Sequence, residues 1–170
     1  AAQVVRDLLA FARQQPIMPI RIDVADMLRS VVEREETRLR ESGIALDLEI
    51  EEELPAIQGD RFQLEQVLQQ LIDNARRVMA THHGGGKLTV RAASRERVRL
   101  SVSDDGPGIA PELIDKVFEP FLTTQEVGQG SGLGLSMCYG VVRAHGGRIW
   151  AANNPQGGAT FHVEFPPFPA

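Results

Sequence analysis

Three short stretches of the 170-residue chain carry side chains whose types and spacing suit chemistry. In RFQLEQVLQQLIDNARRVMA, residues 61–80, the residues Gln70, Asn74 and Arg77 fall along one flank of a helical pattern, with Asn74 nearest the apolar edge. A side-chain amide there can donate, accept or offer its oxygen to a cation, and Arg77 one turn on can meet an anion. A solvated helix flank fits the same residues. In VRLSVSDDGPGIA, residues 98–110, strand alternation carries Val98, Leu100 and Val102 to one face and Asp104 with them, leaving Asp105 on the other. A core-side carboxylate needs a partner, because burying one unpaired is expensive. A bound ligand's amino group is one candidate, and an ordinary Asp-initiated turn is the alternative. Gly106 and Gly108 flank Pro107 and let the backbone turn sharply and approach a ligand. In GQGSGLGLSMCYGVVRAHGG, residues 128–147, Gly128, Gly130, Gly132 and Gly134 alternate immediately before a helical pattern. Amides at a helix N-terminus bind phosphate, and glycines let the chain wrap it. No Gly-Lys-Ser/Thr follows, so this is not a Walker loop; no apolar strand leads directly into it, so it is a poor dinucleotide fingerprint.

These stretches need elements to hold them. Residues 4–14 repeat apolar groups at helical spacing through Val4, Leu8 and Phe11, and the pattern starts at residue 1 without a cap. It predicts the tail of a helix that begins upstream and packs either on this domain or on a partner helix. Pro16 and Pro19 end it, and Ile17, Ile20 and Ile22 predict a short strand up to Asp23. Asp23 or Asp26 then caps a helix over about 24–42 that buries Met27, Leu28, Val31 and Leu39, turns Glu33, Arg34, Glu35, Glu36, Arg38 and Arg40 outward, and stops at Gly43. Ile44, Leu46, Leu48 and Ile50 alternate as a strand. The Asn74 helix is expected over about 60–80, with Leu64, Val67, Leu68, Leu71, Ile72, Ala75, Val78 and Met79 as its apolar arc and Gly84 to Gly86 closing it. Strands through Leu88–Ala92 and Val98–Val102 read as a hairpin, and a last helix over about 133–145 precedes strands near 148–152 and 159–165. The Gly- and Pro-rich stretch 104–132 is too long for an ordinary connection and reads as a functional lid. The sum is one α/β domain with a mixed sheet and helices on one face.

Composition narrows the classes further. Eighteen basic against 23 acidic residues give a formal charge of −5, and no Lys/Arg run suits a duplex nucleic acid. One cysteine, Cys138, cannot form an internal disulfide, and no His/Cys cluster offers a structural zinc site. That fits a reducing compartment. No apolar run reaches the roughly 18 residues of a membrane span.

Order and spacing together carry more than any motif alone: QVLQQLIDNARRVM, then DDGPGIA, then FEPFLTT, then GQGSGLGLS. The set resembles the N box, first glycine box, F box and second glycine box of sensor histidine kinase ATP-binding domains, within the GHKL superfamily that includes DNA gyrase B and the ninety-kilodalton heat-shock chaperones. The resemblance runs over roughly residues 1–166 and implies the Bergerat fold, a two-layer α/β sandwich with a mixed, mainly antiparallel sheet. It implies ATP and Mg2+ as ligands. Asn74 matches the asparagine that coordinates magnesium, Arg77 a basic residue at phosphate, and Asp104 the aspartate that receives the adenine amino group. Gly106, Gly108 and Ile109 match the adenine end; Phe118 and Phe121 match the aromatics that hold the lid. Thr124, Gly130, Ser131, Gly132, Leu133 and Gly134 match the segment around the phosphates. Asn74, Gln70 and Arg77 are the implied catalytic set.

Departures from the family pattern shape the expectation. Gln70 stands where the family usually has Asn and where related ATPases place a Glu base nearby, so hydrolysis without a partner is expected to be slow. Val78 replaces a frequent aromatic, Gln125 stands where a Lys is common, and Ala159 takes a place often held by Ser or Thr, with Thr160 on the opposite parity. DLLAFARQQP resembles the end of the dimerisation and phosphoacceptor hairpin, so residues 1–15 are expected to be that tail, 16–23 a linker strand and 24–170 the ATP-binding domain. His82, His83, His145 and His162 are expected to be structural or solvated, the first two in the glycine turn, with the phosphoacceptor histidine upstream. Implied partners are that hairpin, a response regulator receiver domain and a second copy of the parent protein, with no nucleic acid and no membrane contact from this part. The implied location is cytoplasmic.

Overall fold

The computed structural model describes residues 19–119 and 134–169. Its elements follow one another as β1 (Ile20–Ile22), α1 (Val24–Glu41), β2 (Ile44–Ile50), β3 (Ile57–Gly59), α2 (Arg61–His83), β4 (Gly86–Ser94), β5 (Val98–Ser103), a 3-10 turn (Ile114–Lys116), α3 (Gly134–Ala144), β6 (Arg148–Asn153) and β7 (Ala159–Phe165). Five strands form one sheet in the order β2-β4-β5-β7-β6, with β2 and β4 parallel and the other pairs antiparallel. The three helices pack on one face of it. The expected two-layer α/β sandwich is therefore the observed one.

Local chemistry sets the helix ends. Asp23, rather than Asp26, caps α1 by accepting the Asp26 N–H at 3.0 Å, and Gly43 ends it at φ +74°. Asp60 caps α2 by accepting from the Gln63 N–H at 3.2 Å. That helix runs past the expected stop at Ala80 because its terminator is Gly84, at φ +73°. Thr81, His82 and His83 are thus its last turn, which corrects the expected place of the two histidines in the glycine turn. Gly134 opens α3, on which Cys138 and Val142 are fully buried, while Leu135 and Val141 are only partly so. The core line is thus Cys138 and Val142, one turn apart, with Leu135 and Val141 at its margin. Burial pushes the Cys138 thiol up to about 12, and its Sγ donates to the Val67 carbonyl at 3.8 Å.

Two features escaped the sequence. Strand β3 is only three residues long and pairs with β1 antiparallel, Ile22 opposite Ile57, in a separate two-stranded ribbon. The charges of α1 are not all outward. Glu35 is buried, Arg34 reaches Glu65 at 2.6 Å, and Arg38 lies between Glu35 at 3.7 Å and Asp73 at 3.5 Å, so one side of the expected charged face lines the seam with α2. A single helix's periodicity cannot show which neighbour shares its flank.

The helix-facing sheet core is Leu88, Val90 and Ala92, Val98, Leu100 and Val102, Ile149 and Ala151, with Phe161, Val163 and Phe165. On β2 only Ile44 is fully buried, because that strand is the sheet edge. The opposite face caps itself. Trp150 stacks on His162 at 5.1 Å, Arg99 and Arg148 lie over the Trp150 ring at 4.9 and 5.3 Å, and Glu164 holds Arg99 at 2.8 Å. Burial, reinforced by the Arg99 guanidinium, lowers the His162 ring below its ordinary value.

Candidate functional site

Beyond the end of β5 the chain places Asp104 as strand parity requires. Asp104 is 6% exposed, whereas Asp105 faces solvent and accepts the Lys87 N–H at 3.1 Å. Two backbone amides converge on the same Asp104 oxygen: Gly106 N–H at 2.9 Å and Ala159 N–H at 3.2 Å. They hold that oxygen in place as the shared acceptor of both amides. The alternative reading as a turn is thus partly realised, since Gly106 closes a local loop onto Asp104. Gly106 has little space, because a Cβ there would lie 3.2 Å from both the Val78 Cγ1 and the Asp104 Oδ1. This packs the turn directly on α2.

The support for Asp104 comes from a turn the sequence reading passed over. In NNPQGG, residues 153–158, Asn154 donates to the Asp104 carbonyl and the Ser103 hydroxyl, each at 3.0 Å. Asn153 clamps Ile109 at both backbone polar groups, accepting its N–H and donating to its C=O at 2.7 Å each. A Cβ on Gly108, which sits at φ +81°, would come 2.9 Å from the Asn153 Oδ1. Gly158 sits at φ +88°, and a Cβ there would overlap the Asp104 carbonyl oxygen. Adjacent Asn-Asn-Pro and Gly-Gly were the available signal for a tight, polar turn. Gly158→Ala is expected to cost about 2 to 5 kcal/mol of stability, through backbone strain plus overpacking. Denaturant unfolding measures it; an unchanged midpoint would contradict the close approach.

On α2, Gln70, Asn74 and Arg77 are all half-buried. Gln70 meets the start of α3, because a Cβ on Gly134 would lie 2.6 Å from its Oε1. The helix bearing Asn74 and the helix opened by Gly134 are therefore in contact at this end. Arg77 leans on Asp73 at 3.3 Å, and Asp73 also holds Arg76. Phe118 anchors its segment, with ring centroids 6.0 Å from both Tyr139 on α3 and Phe161 on β7. Ala159 lies beside Asp104 through its backbone, whereas the Thr160 hydroxyl bonds to Ser103 at 2.8 Å and to the Asn154 side chain. Phe121, Thr124, Gln125, Gly128, Gly130, Ser131, Gly132 and Leu133 lie outside the described residues, as do residues 120–132 of the lid expected over 104–132 and the N-terminal helix. Among the described residues no group of three His, Cys, Asp or Glu side chains could hold a metal, and no helix is long and apolar enough to cross a membrane.

Asp104 thus stands at the end of β5, the turn after it packs on Val78 of α2, and the same helix carries Gln70, Asn74 and Arg77 and meets the start of α3 at Gln70. The chain is similar to known proteins over most of its length. Sensor kinase CckA of Brucella abortus is 36% identical over 182 aligned residues, which cover 98% of this chain and 19% of that protein. Full-length ShkA, solved in complex with AMPPNP, matches with a TM-score of 0.86 at 32% identity, over 98% of this chain and 36% of that one. Histidine kinase ThkA, solved in complex with response regulator protein TrrA, matches with a TM-score of 0.82 at 29% identity, over 98% of this chain and 47% of that one. The chain thus spans less than half the length of each of these relatives. Residues 59–169, from the end of β3 through β7, match one family model, and the chain belongs to the histidine kinase-, DNA gyrase B- and HSP90-like ATPase family.

Proposed function

We propose that this chain binds Mg-ATP and presents the γ-phosphate to a histidine on a dimerisation hairpin, as the catalytic domain of a two-component sensor histidine kinase. The observation that carries the reading is the Asp104 carboxylate, buried and oriented by two backbone amides beside Asn74's helix in a chain that superposes on AMPPNP-bound ShkA. In this reading Asp104 receives the adenine amino group, and Gly106, Gly108 and Ile109 shape the adenine end. Asn74, Arg77 and the Gly130–Gly134 segment serve the phosphates, with Phe118, Phe121 and Thr124 in the intervening segment. Residues 1–15 belong to the hairpin, 16–23 to a linker strand and 24–170 to the ATP-binding domain.

The residues present fit a magnesium ion that the phosphates help to hold. Magnesium takes one or two protein oxygens plus phosphate oxygens rather than an all-protein cage, and the Asn74 side-chain oxygen is a hard donor of the right kind. When bound, the ion neutralises charge on the terminal phosphates. Arg77 leaves Asp73 to meet the same charge. ATP and a protein histidine yield ADP and phosphohistidine: the bond from the γ-phosphorus to its bridging oxygen breaks as the bond to the imidazole nitrogen forms. Such transfer needs positioning and charge stabilisation more than covalent help from the protein. Gln70 cannot take up a proton near neutral pH, so attack by water is disfavoured and a hydrolytic clamp is the weaker reading. The phosphate then passes to an aspartate of a response regulator receiver domain, in a homodimeric parent working in the cytoplasm; that ThkA was solved with a response regulator supports the choice of partner.

The test is a titration of the chain with ATP, with and without Mg2+, followed by addition of a hairpin fragment bearing a histidine. Binding without self-labelling, then acid-labile phosphate on the hairpin alone, is the expected result. Phosphate on His82, His83, His145 or His162 would overturn the assignment of the acceptor.

A further inference from the structure

The N-terminal end of α2 and the C-terminal end of α3 are joined by one imidazole. His145 directly follows α3, and its Nε2 accepts the backbone N–H of Asp60, the N-cap of α2, at 3.0 Å. Its Nδ1 lies 2.8 Å from the Val141 carbonyl oxygen. A carbonyl oxygen only accepts and a backbone N–H only donates. The two contacts therefore place the ring proton on Nδ1 and leave Nε2 as a bare acceptor, a neutral ring in one tautomer.

The surroundings are shaped for that ring. A Cβ on Gly59 would lie 2.5 Å from its Cδ2 and 2.9 Å from its Nε2, so only glycine lets the imidazole reach Asp60. Phe165 meets it edge-on at 6.3 Å, and the next residue's carbonyl, Gly146, receives Arg97 at 2.9 Å. Three contacts then give the register of the two helices. Asp60 faces His145, Val67 faces Cys138, and Gln70 faces Gly134. The helices run antiparallel, and the span from Asp60 to Gln70 is about 15 Å at about 1.5 Å per residue.

We propose that His145 is a positioning residue for the phosphate end of the nucleotide site: an uncharged strap that fixes α3 lengthwise against α2, so that Gly134 stays level with Gln70 and Asn74. The inference rests on the reading of this cleft as an ATP site. Helices are stiff along their axes and close-packed interfaces shift between discrete arrangements, so releasing the strap at one end displaces Gly134 at the other. Asp104 is held by Gly106 and Ala159, which the strap does not touch. Loss of His145 should therefore weaken phosphate recognition and spare adenosine.

Calorimetric titration of the chain with adenosine and with Mg-ATP tests this in His145→Ala, His145→Gln and His145→Asn. His145→Ala is expected to lose about tenfold in Mg-ATP affinity with adenosine changed less than about twofold, a difference of ~1 kcal/mol between the two ligands. His145→Gln, whose amide oxygen reaches the place of Nε2, should restore most of the loss; His145→Asn, which matches only the Nδ1 side, should not. Equal losses for both ligands, or equal rescue by Asn and Gln, would overturn the proposal. Should the variants fail to fold, nitrogen-15 NMR of the wild-type ring decides: a protonated Nδ1 and an unprotonated Nε2 at neutral pH support the strap, and the opposite tautomer or a rapidly exchanging ring refutes it. A wild-type chain that binds neither ligand would refute the ATP reading and the phosphate role together, while the ring's tautomer would still report on the strap itself.

Discussion

Asp104→Asn is expected to abolish measurable nucleotide binding in a chain that still folds. The environment dictates how the new amide must sit. The Gly106 and Ala159 N–H groups both point at one oxygen of the native carboxylate, so the Asn oxygen has to take that place and its NH2 group takes the other. The reverse orientation would set donor against two donors. The group turned toward the ligand thus changes from an acceptor to a donor, and an adenine amino group, itself a donor, meets a repulsive partner. An unmatched buried group costs about 1 to 3 kcal/mol, and more when the lost partner was charged, so a fall of about 100-fold or greater follows. The fold itself should survive, because both amide bonds to the turn persist. Calorimetry with ATP measures the loss, and unfolding midpoints check the fold. Unchanged affinity in a folded variant would remove Asp104 from the adenine role.

Much of this geometry was legible in the sequence, for a specific reason. Burial of Asp104 followed from counting parity from Val98, because a strand fixes alternate faces whatever its neighbours are. The face of α2 followed from its 3.6-residue period, and Leu64, Val67, Leu68, Leu71, Ile72, Ala75 and Met79 are indeed buried, with Val78 at the margin under Gly106. Relations between distant segments were not legible. Ile57–Gly59 is a strand only because β1 lies beside it, and Glu35 is buried only because α2 covers that flank of α1. Asn153 and Asn154 are ordinary turn residues by type. Their importance comes from Asp104 and Ile109 being folded against them, 44 to 50 residues away in sequence. His145 was read as structural from its place at a helix end, and only the Asp60 N–H opposite its Nε2 gives it a definite task.

Asn74→Ala should split the affinity that Asp104→Asn removes whole. Asn74 lies on α2 one turn beyond Gln70, on the flank that Gln70's contact with Gly134 marks as the meeting point of the two helices. In the proposed reading its amide oxygen shares a magnesium ion with the phosphates, whereas the hydrogen bonds that hold Asp104 and Ile109 come from Gly106, Ala159 and Asn153. Removing the amide is therefore expected to erase the gain in ATP affinity that Mg2+ confers while adenosine binding stays within about twofold. An ion that loses one of its one or two protein ligands loses most of its positioning, so phosphoryl transfer to a hairpin histidine should fall by about 100-fold or more. Asn74→Asp makes the complementary case: the carboxylate keeps an oxygen for the ion but adds a negative charge beside the phosphates, so Mg2+ dependence should become steeper as metal-free ATP is repelled. Titrations across a Mg2+ series with adenosine, ADP and ATP read all of this directly. Parallel losses for adenosine and Mg-ATP in Asn74→Ala would show that the side chain supports the cleft as a whole, and the division of the site into an adenine end at Asp104 and a metal-phosphate end at Asn74 would have to be abandoned.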